Sequence, residues 1–183
     1  MSRLPMLSES AMTEAQRTVA SEIAGGPRGG VRGPFPAFLR SPELASRAQK
    51  LGEFLRFGTS LPPRLSEMAI IITARAWSAQ YEWYAHAQLA RKGGLDEAII
   101  QAIARRQRPA RMAEDEAVVY DFCTELFERH AVGDSTYSRA VAAFGEHGTV
   151  EIIGLCGYYV MVAMALNVAQ VPLPPGEPSP FAD

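Results

Sequence analysis

Two long, almost uninterrupted apolar segments constrain this chain most strongly, because a protein in water has to bury them. They are LSEMAIIITARAW at 65–77 and IIGLCGYYVMVAMALNVAQV at 152–171. Neither alternates apolar with polar residues as a half-buried strand does, and alanine and leucine favour helices. We therefore predict an all-α protein, a helical bundle with these segments at its centre. Their apolar surface exceeds what one small bundle covers, so we also expect a homo-oligomer that shares its helical core.

Capping residues, glycines and prolines divide the rest of the chain into further helices. The glycine- and proline-rich stretch GGPRGGVRGPFPAF at 25–38 should lack regular structure. We assign residues 1–33 to an N-terminal helix and loop, 34–173 to a helical domain, and 174–183 to a proline-rich tail laid over a surface. The predicted helices are Thr13–Ala24, Pro42–Phe57, one from Pro63 or Ser66, one ending at Gly93–Gly94, Asp96–Arg105, Ala113–Arg129, Tyr137–Phe144 and Thr149–Ala169.

Charge and cysteine usage narrow the range of partners and compartments. A net charge of -2 and a pI near 6.0 offer no basic surface for nucleic acid. Cys123 and Cys156 lie in no CxxC or metal-type spacing, so we expect reduced, buried thiols in a cytoplasmic protein. The first residues lack the apolar region of a signal peptide. Segment 152–171 approaches membrane-spanning length, but its glycines, paired tyrosines and Asn167 favour a core or oligomer helix, so we expect no membrane partner.

The stretch AQYEWYAHAQLARKGG at 79–94 carries the first candidate for chemistry. Glu82 lies four residues before His86, so both side chains share one face of a helix. There the carboxylate can orient the imidazole, which can then give or take a proton near neutral pH. The alternative is an ordinary solvated pair on a helix surface. Aromatic rings with polar tips often line small-molecule pockets, and they crowd this stretch.

The second candidate is Glu67, a carboxylate within an apolar helix. Burial of a carboxylate there is costly unless the group is hydrogen-bonded or has a raised pKa. A buried carboxyl group with a raised pKa is typical of a catalytic acid. Alternatively, Glu67 lies in the first helical turn, where the helix dipole stabilises it. On one unbroken helix, Glu67 and Glu82 would be about 22 Å apart. A shared site therefore requires a chain reversal near Trp77, where Ser78 is a suitable N-cap.

The remaining side chains give a weaker signal. Four aromatic residues are candidates for binding a substrate: Tyr81, Trp83 and Trp77 near the pair, and Phe35 in the glycine-rich loop, which could cover a pocket or be a plain connector. Tyr158 and Tyr159 in the late apolar helix are better explained as core residues, although one could hydrogen-bond a substrate. No phosphate-binding glycine motif is present, and the three histidines lack metal-type spacing, so we expect no metal.

The segments RLSEMAIIITARAWSAQYEWYAHAQLARKGG and EIIGLCGYYVMVAMALNV resemble the carboxymuconolactone decarboxylase family, whose superfamily includes the AhpD-like alkylhydroperoxidases. The similarity spans residues 34–173. The resemblance implies an all-helical fold, homo-oligomers that are trimers or hexamers, and a site beside a helix start. The chain departs from the family in its N-terminal extension and its proline-rich tail.

AhpD-like members carry a glutamate, eleven residues, CxxC, three residues and a histidine. Glu67 and His86 match the outer positions, but Ala79 and Glu82 occupy the cysteine positions. A disulfide-cycling peroxidase is therefore not expected, because it needs a reactive thiolate and a resolving thiol.

The resemblance leaves the decarboxylase branch, which uses no cofactor. It implies a lyase acting on a small cyclic or unsaturated carboxylic acid, as in the breakdown of aromatic compounds. In this interpretation His86 would donate the proton, and Glu82 would orient the imidazole of His86. Glu67 would complete a proton relay, and Tyr81 could hydrogen-bond the lactone. Arg64 and Arg75 are candidates for binding a carboxylate. Alternatives are a non-catalytic oligomeric binding module that lost the cysteines, or a peroxide-handling protein with another nucleophile.

Overall fold

The computed structural model describes residues 1–181, and within that range it is helical with no strand. This confirms the predicted all-α class. A 3-10 turn at Glu9–Ala11 precedes the helices, which we number in chain order. They are α1 (Glu14–Gly25), α2 (Phe35–Phe38), α3 (Pro42–Phe57), α4 (Pro63–Ala76), α5 (Gln80–Lys92), α6 (Glu97–Ala104), α7 (Glu114–Arg129) and α8 (Asp134–Ala169).

Helix α4 forms the centre of the bundle. Every residue from Leu65 to Ala74 is buried, as expected for a helix that is apolar on all sides. Helices α5, α6, α7 and α8 all pack against it. Because Glu67 belongs to this buried run, its carboxylate has to find its polar partner inside the protein.

Residues 77–79 separate α4 from α5 and reverse the chain. Ser78 adopts a left-handed conformation with φ of 47°, which turns the backbone sharply. Gly93, just after α5, lies so close to the start of α4 that an added Cβ would come within 3.1 Å of the carbonyl carbon of Pro63. The helices are therefore antiparallel, which confirms the predicted reversal. The predicted N-cap was wrong, because Ala79 and not Ser78 occupies that position.

Helix α8 consists of two helical segments that meet at a kink at Gly145, whose φ of 68° and ψ of 174° are not helical. The two helices predicted there, Tyr137–Phe144 and Thr149–Ala169, are thus joined through this kink. Within residues 1–181, α8 alone is long and apolar enough to cross a membrane, and half of its most apolar window is buried. A core helix of a soluble protein has the same length and composition.

The N-terminal segment packs onto the bundle through capped and anchored elements. Thr13 and Gln16 form a capping box at the start of α1, as the N-cap prediction required. The glycine-rich loop is more regular than predicted, because Phe35 and Phe38 end it in the single turn α2. Both rings are buried and meet edge to face at 5.8 Å between centroids.

The proline-rich tail lies against the turn between α4 and α5. Phe181 is buried, and its ring packs edge to face on Trp83 with centroids 5.2 Å apart. The guanidinium of Arg75 lies 4.4 Å from the centre of the Phe181 ring. This cation–π contact and the ring packing fix the tail on the bundle.

Candidate active site

His86 and Glu67 meet between α5 and α4. The Nδ1 atom of His86 lies 2.6 Å from Oε2 of Glu67, and each residue is only 8% exposed. The antiparallel packing of the two helices brings these residues together. In the tautomer that carries the ring proton on Nδ1, His86 donates this hydrogen bond to the carboxyl oxygen of Glu67. Nε2 is then left to exchange a proton with a bound molecule.

Glu82 does not make the predicted pair with His86. It is 1% exposed, and neither carboxyl oxygen has a hydrogen-bond partner among residues 1–181. Burial raises the pKa of Glu82 well above its usual range and so favours the protonated, neutral form of this carboxyl group. The carboxyl group that contacts His86 is that of Glu67 and not of Glu82, because the imidazole points towards α4 and not along α5.

We expect the pH dependence of stability to report the buried acid of Glu82. Folding raises its pKa above the unfolded value of 4.5, so the folded protein holds a proton that the unfolded chain releases. The contribution of Glu82 to the free energy of unfolding is complete below pH 4.5, and it is lost as the pH rises through the pKa of the folded state. Glu82→Gln should remove a slope that approaches about 1.4 kcal/mol per pH unit, measured by urea unfolding from about pH 5 to about pH 8.

The matched control is Glu146→Gln, which removes an exposed carboxylate of α8. It should keep the wild-type slope. Equal slopes in wild type and Glu82→Gln would show that Glu82 is ionised in the folded protein, and would contradict the neutral acid described above.

The aromatic ring in contact with His86 comes from α8. Tyr159 packs edge to face on the imidazole with centroids 4.9 Å apart, and Tyr158 packs on Tyr159 at 5.2 Å. Burial raises the pKa of Tyr159 well above its usual range, so its phenol stays protonated. The sequence favoured a core role for both tyrosines. Nothing in it linked them to His86, because only the packing of α8 on α5 brings them there.

Trp77 and Trp83, predicted to bind substrate, do not supply the ring on His86. Trp77 ends α4 and is 37% exposed. Trp83 is buried beneath Phe181 of the tail. A role for either tryptophan in substrate binding stays a prediction.

Tyr81 and Phe35 lie nearer to the N-terminal loop. Tyr81 is half-buried, and a Cβ added at Gly33 would be 3.4 Å from its ring. Phe35 is buried, with the guanidinium of Arg28 4.8 Å from its ring centre. The loop therefore contacts α5, and the substrate-binding role of both rings stays a prediction.

The two arginines proposed to bind a carboxylate already have partners within the protein. Arg64 forms ion pairs with Asp115 at 2.6 Å and with Glu116. Arg75 donates to the carbonyl of Ala104 at 2.6 Å, in addition to its contact with the tail. Arg64 is thus neutralised by carboxylates of the protein, whereas Arg75 has only neutral partners among residues 1–181, and its role in binding a carboxylate stays a prediction.

The cysteines are placed unfavourably for peroxide chemistry. Cys123 of α7 and Cys156 of α8 are buried with their sulfur atoms 3.6 Å apart. The neighbouring thiol of Cys156 and burial raise the pKa of Cys123 well above its usual range, which disfavours a reactive thiolate. Within residues 1–181, no group of three or more His, Cys, Asp or Glu side chains could hold a metal ion.

A known protein family matches the part of the chain that contains the contact between Glu67 and His86. Residues 42–119, from the start of α3 into α7, match the model of the carboxymuconolactone decarboxylase family. No curated protein matches the chain. The matched segment contains the antiparallel pair α4 and α5, with Glu67, Glu82 and His86. Over this segment, the chain is similar to the carboxymuconolactone decarboxylase family.

Proposed function

We propose that this protein is a cofactor-independent acid–base lyase that acts on a small cyclic or unsaturated carboxylic acid. The observation that carries the proposal is the buried contact of 2.6 Å between His86 Nδ1 and Glu67 Oε2. A carboxylate that fixes an imidazole through one ring nitrogen leaves the other positioned for proton transfer. Glu82 lies one turn earlier on α5, and burial raises its pKa, which favours a second proton-bearing group beside His86.

The reaction that suits these groups is loss of carbon dioxide from an unsaturated lactone acid. The bond between the ring carbon and the carboxylate breaks, carbon dioxide leaves, and its electron pair passes through the double bond to the lactone carbonyl. His86, after taking up a proton from water at Nε2, then transfers that proton to the resulting dienolate, which becomes an enol-lactone. In this scheme Glu82, kept neutral by burial, donates a hydrogen bond to the oxygen that gains negative charge.

The direct test is to incubate the protein with 4-carboxymuconolactone and related unsaturated lactone acids and to measure released carbon dioxide. Turnover should persist when Cys123 and Cys156 are both replaced by serine, since the proposed chemistry needs no thiol. Binding of these acids without release of carbon dioxide would instead indicate the non-catalytic binding module. Peroxide consumption that depends on the cysteines would contradict the lyase.

We further propose that the chain forms a homo-oligomer, a trimer or hexamer as in the family it resembles. Helix α3 exposes large apolar side chains at successive spacings of seven, three and three residues, and α8 at spacings of three, eleven and four residues, so each set lies along one side of its helix. Water-exposed apolar stripes of this extent are typical of subunit interfaces. These residues are Leu44, Leu51, Phe54 and Phe57 on α3, and Val150, Ile153, Met164 and Val168 on α8.

Charge placed in the α8 stripe should separate the subunits. Val150 and Val168 are each 64% exposed, so their replacement by lysine leaves the core of one subunit intact. We expect the double variant Val150→Lys, Val168→Lys to fall to monomer mass in light scattering coupled to size-exclusion chromatography. The control Gln88→Lys, at an exposed position of α5, should keep the wild-type mass. A wild-type protein of monomer mass would refute the oligomer.

The predicted compartment and partners accompany this proposal. A cytoplasmic enzyme with a small carboxylic acid as substrate, and without cofactor, nucleic acid or membrane as partner, remains our expectation from composition and resemblance.

A further inference from the structure

Two arginines near the candidate active site lack the partners that buried cations need. Arg28 of the N-terminal loop and Arg56 of α3 are half-buried. Among residues 1–181 neither guanidinium forms an ion pair, and the Nε atom of each is buried without a hydrogen-bond partner. A charge withdrawn from water without a counter-charge is costly. The Nε–H donors of both groups therefore lack an acceptor within residues 1–181, and a bound ligand can supply one.

Close packing at Gly52 on α3 brings these groups to the tyrosine pair. A Cβ added there would lie 2.1 Å from the hydroxyl of Tyr158 and 2.3 Å from Nη2 of Arg28. The Nη2 group of Arg28 donates to this hydroxyl at 3.4 Å. Arg56 follows Gly52 by four residues and so lies on the same face of α3. The missing side chain at Gly52 is what allows the loop, α3 and α8 to meet.

The tyrosine pair links this cationic cluster to the acid–base pair. Tyr158 contacts Tyr159, and Tyr159 contacts His86. Burial raises the pKa of Tyr158, while the positive charges of Arg28 and Arg56 act in the opposite direction. The cluster and His86 therefore lie at two ends of one continuous group of side chains.

We propose that Arg28, Arg56 and the hydroxyl of Tyr158 form a subsite that binds a carboxylate group of the substrate. Guanidinium groups bind carboxylates strongly because their paired N–H donors match the two oxygens. This inference rests on the proposed function and deepens it. Arg28 lies outside the segment 42–119 that matches the family, so the similarity to the family does not supply the subsite.

The bound carboxylate is the one that does not leave. Loss of carbon dioxide removes negative charge from the departing carboxylate, so a cation held on that group would stabilise the ground state more than the transition state. Arg28 and Arg56 therefore suit a second carboxylate that keeps its charge throughout the reaction. The preferred substrates are then diacids, with one carboxylate fixed by the arginines and the other near His86.

Binding of simple acids and their uncharged amides tests the subsite without turnover. The probes are acetate, benzoate and sorbate, each compared with acetamide, benzamide or sorbamide, by isothermal titration calorimetry on the full chain. Wild type should bind at least one acid at least about tenfold more tightly than its amide. Arg28→Gln and Arg56→Gln should each weaken the binding of that acid by about tenfold and leave the affinity for its amide unchanged.

Arg32→Gln and Arg47→Gln are the controls, because both remove exposed guanidinium groups from the same loop and helix. Both should bind the acids as wild type does. Equal affinity of every acid and its amide, no binding of any of the three acids, or undiminished binding by both folded Arg28 and Arg56 variants would each overturn the subsite.

Turnover separates this proposal from the lyase. If acids bind through Arg28 and Arg56 but no carbon dioxide is released, the subsite stands and the lyase fails. If carbon dioxide is released and Arg28→Gln leaves KM for a diacid unchanged, the lyase stands and the subsite fails. His86→Gln should retain binding of the acid in either case.

Discussion

Replacement of His86 by glutamine is expected to lower kcat for decarboxylation by about 10²–10⁴-fold, the usual contribution of a general acid–base group. Glutamine keeps a polar side chain that can still hydrogen-bond Glu67, but it cannot exchange a proton. The loss should therefore appear in kcat, with little change in KM. Initial rates of carbon dioxide release across a range of substrate concentrations give both constants.

The control is His130→Gln, which replaces an exposed histidine at the end of α7. It should leave kcat unchanged. Glu67→Gln should lower kcat less than the His86 variant does, because it weakens the orientation of the imidazole without removing it. Wild-type kcat in a folded His86→Gln protein would exclude proton transfer by this residue.

Gly52→Ala is expected to destabilise the protein by about 1–3 kcal/mol, the usual cost of forcing an extra carbon into a packed site. The new Cβ would come within 2.4 Å of both the hydroxyl and the ring of Tyr158. Within a helix, alanine normally gains up to about 1 kcal/mol over glycine, so a net loss shows that packing dominates. Urea unfolding of wild type and variant measures the difference.

Gly25→Ala provides the comparison, because a Cβ added at Gly25 in the last turn of α1 meets nothing within 4 Å. That variant should be neutral or slightly stabilised. A Gly52→Ala protein as stable as Gly25→Ala would mean that Tyr158 and Arg28 move aside easily. In that case the Gly52→Ala variant should also lose its preference for acids over amides in calorimetry, because Tyr158 and Arg28 would no longer be in the positions that form the subsite.

The chain reversal near Trp77 shows what local sequence can predict. Ser78, a residue suited to an N-cap, indicated a possible break between two helical segments, and the need to join Glu67 to His86 required those segments to be antiparallel. The structure has this arrangement, with Ser78 in the left-handed conformation. The identity of the N-cap was wrong, because the turn places Ala79 rather than Ser78 at the helix start.

Glu82 shows where local spacing is insufficient. Four residues along a helix place two side chains on one face, but they do not decide which way an imidazole turns. In the structure His86 turns to the facing helix, and Glu82 remains buried and without a partner. Both residues are buried, as a candidate site requires. However, the carboxylate that contacts the imidazole of His86 is that of Glu67, whereas the sequence predicted Glu82.

The sequence by itself determined the helical class, the buried central helix and the resemblance to the decarboxylase family, because apolar periodicity, capping residues and a spaced motif are all local properties of the chain. Only the tertiary structure decided which groups surround His86. Tyr158, Tyr159 and Arg28 come from segments distant along the chain, and their meeting depends on how α8, α3 and the N-terminal loop pack at Gly52. Such contacts are set by side-chain volume and helix packing across the whole bundle, which no local pattern encodes.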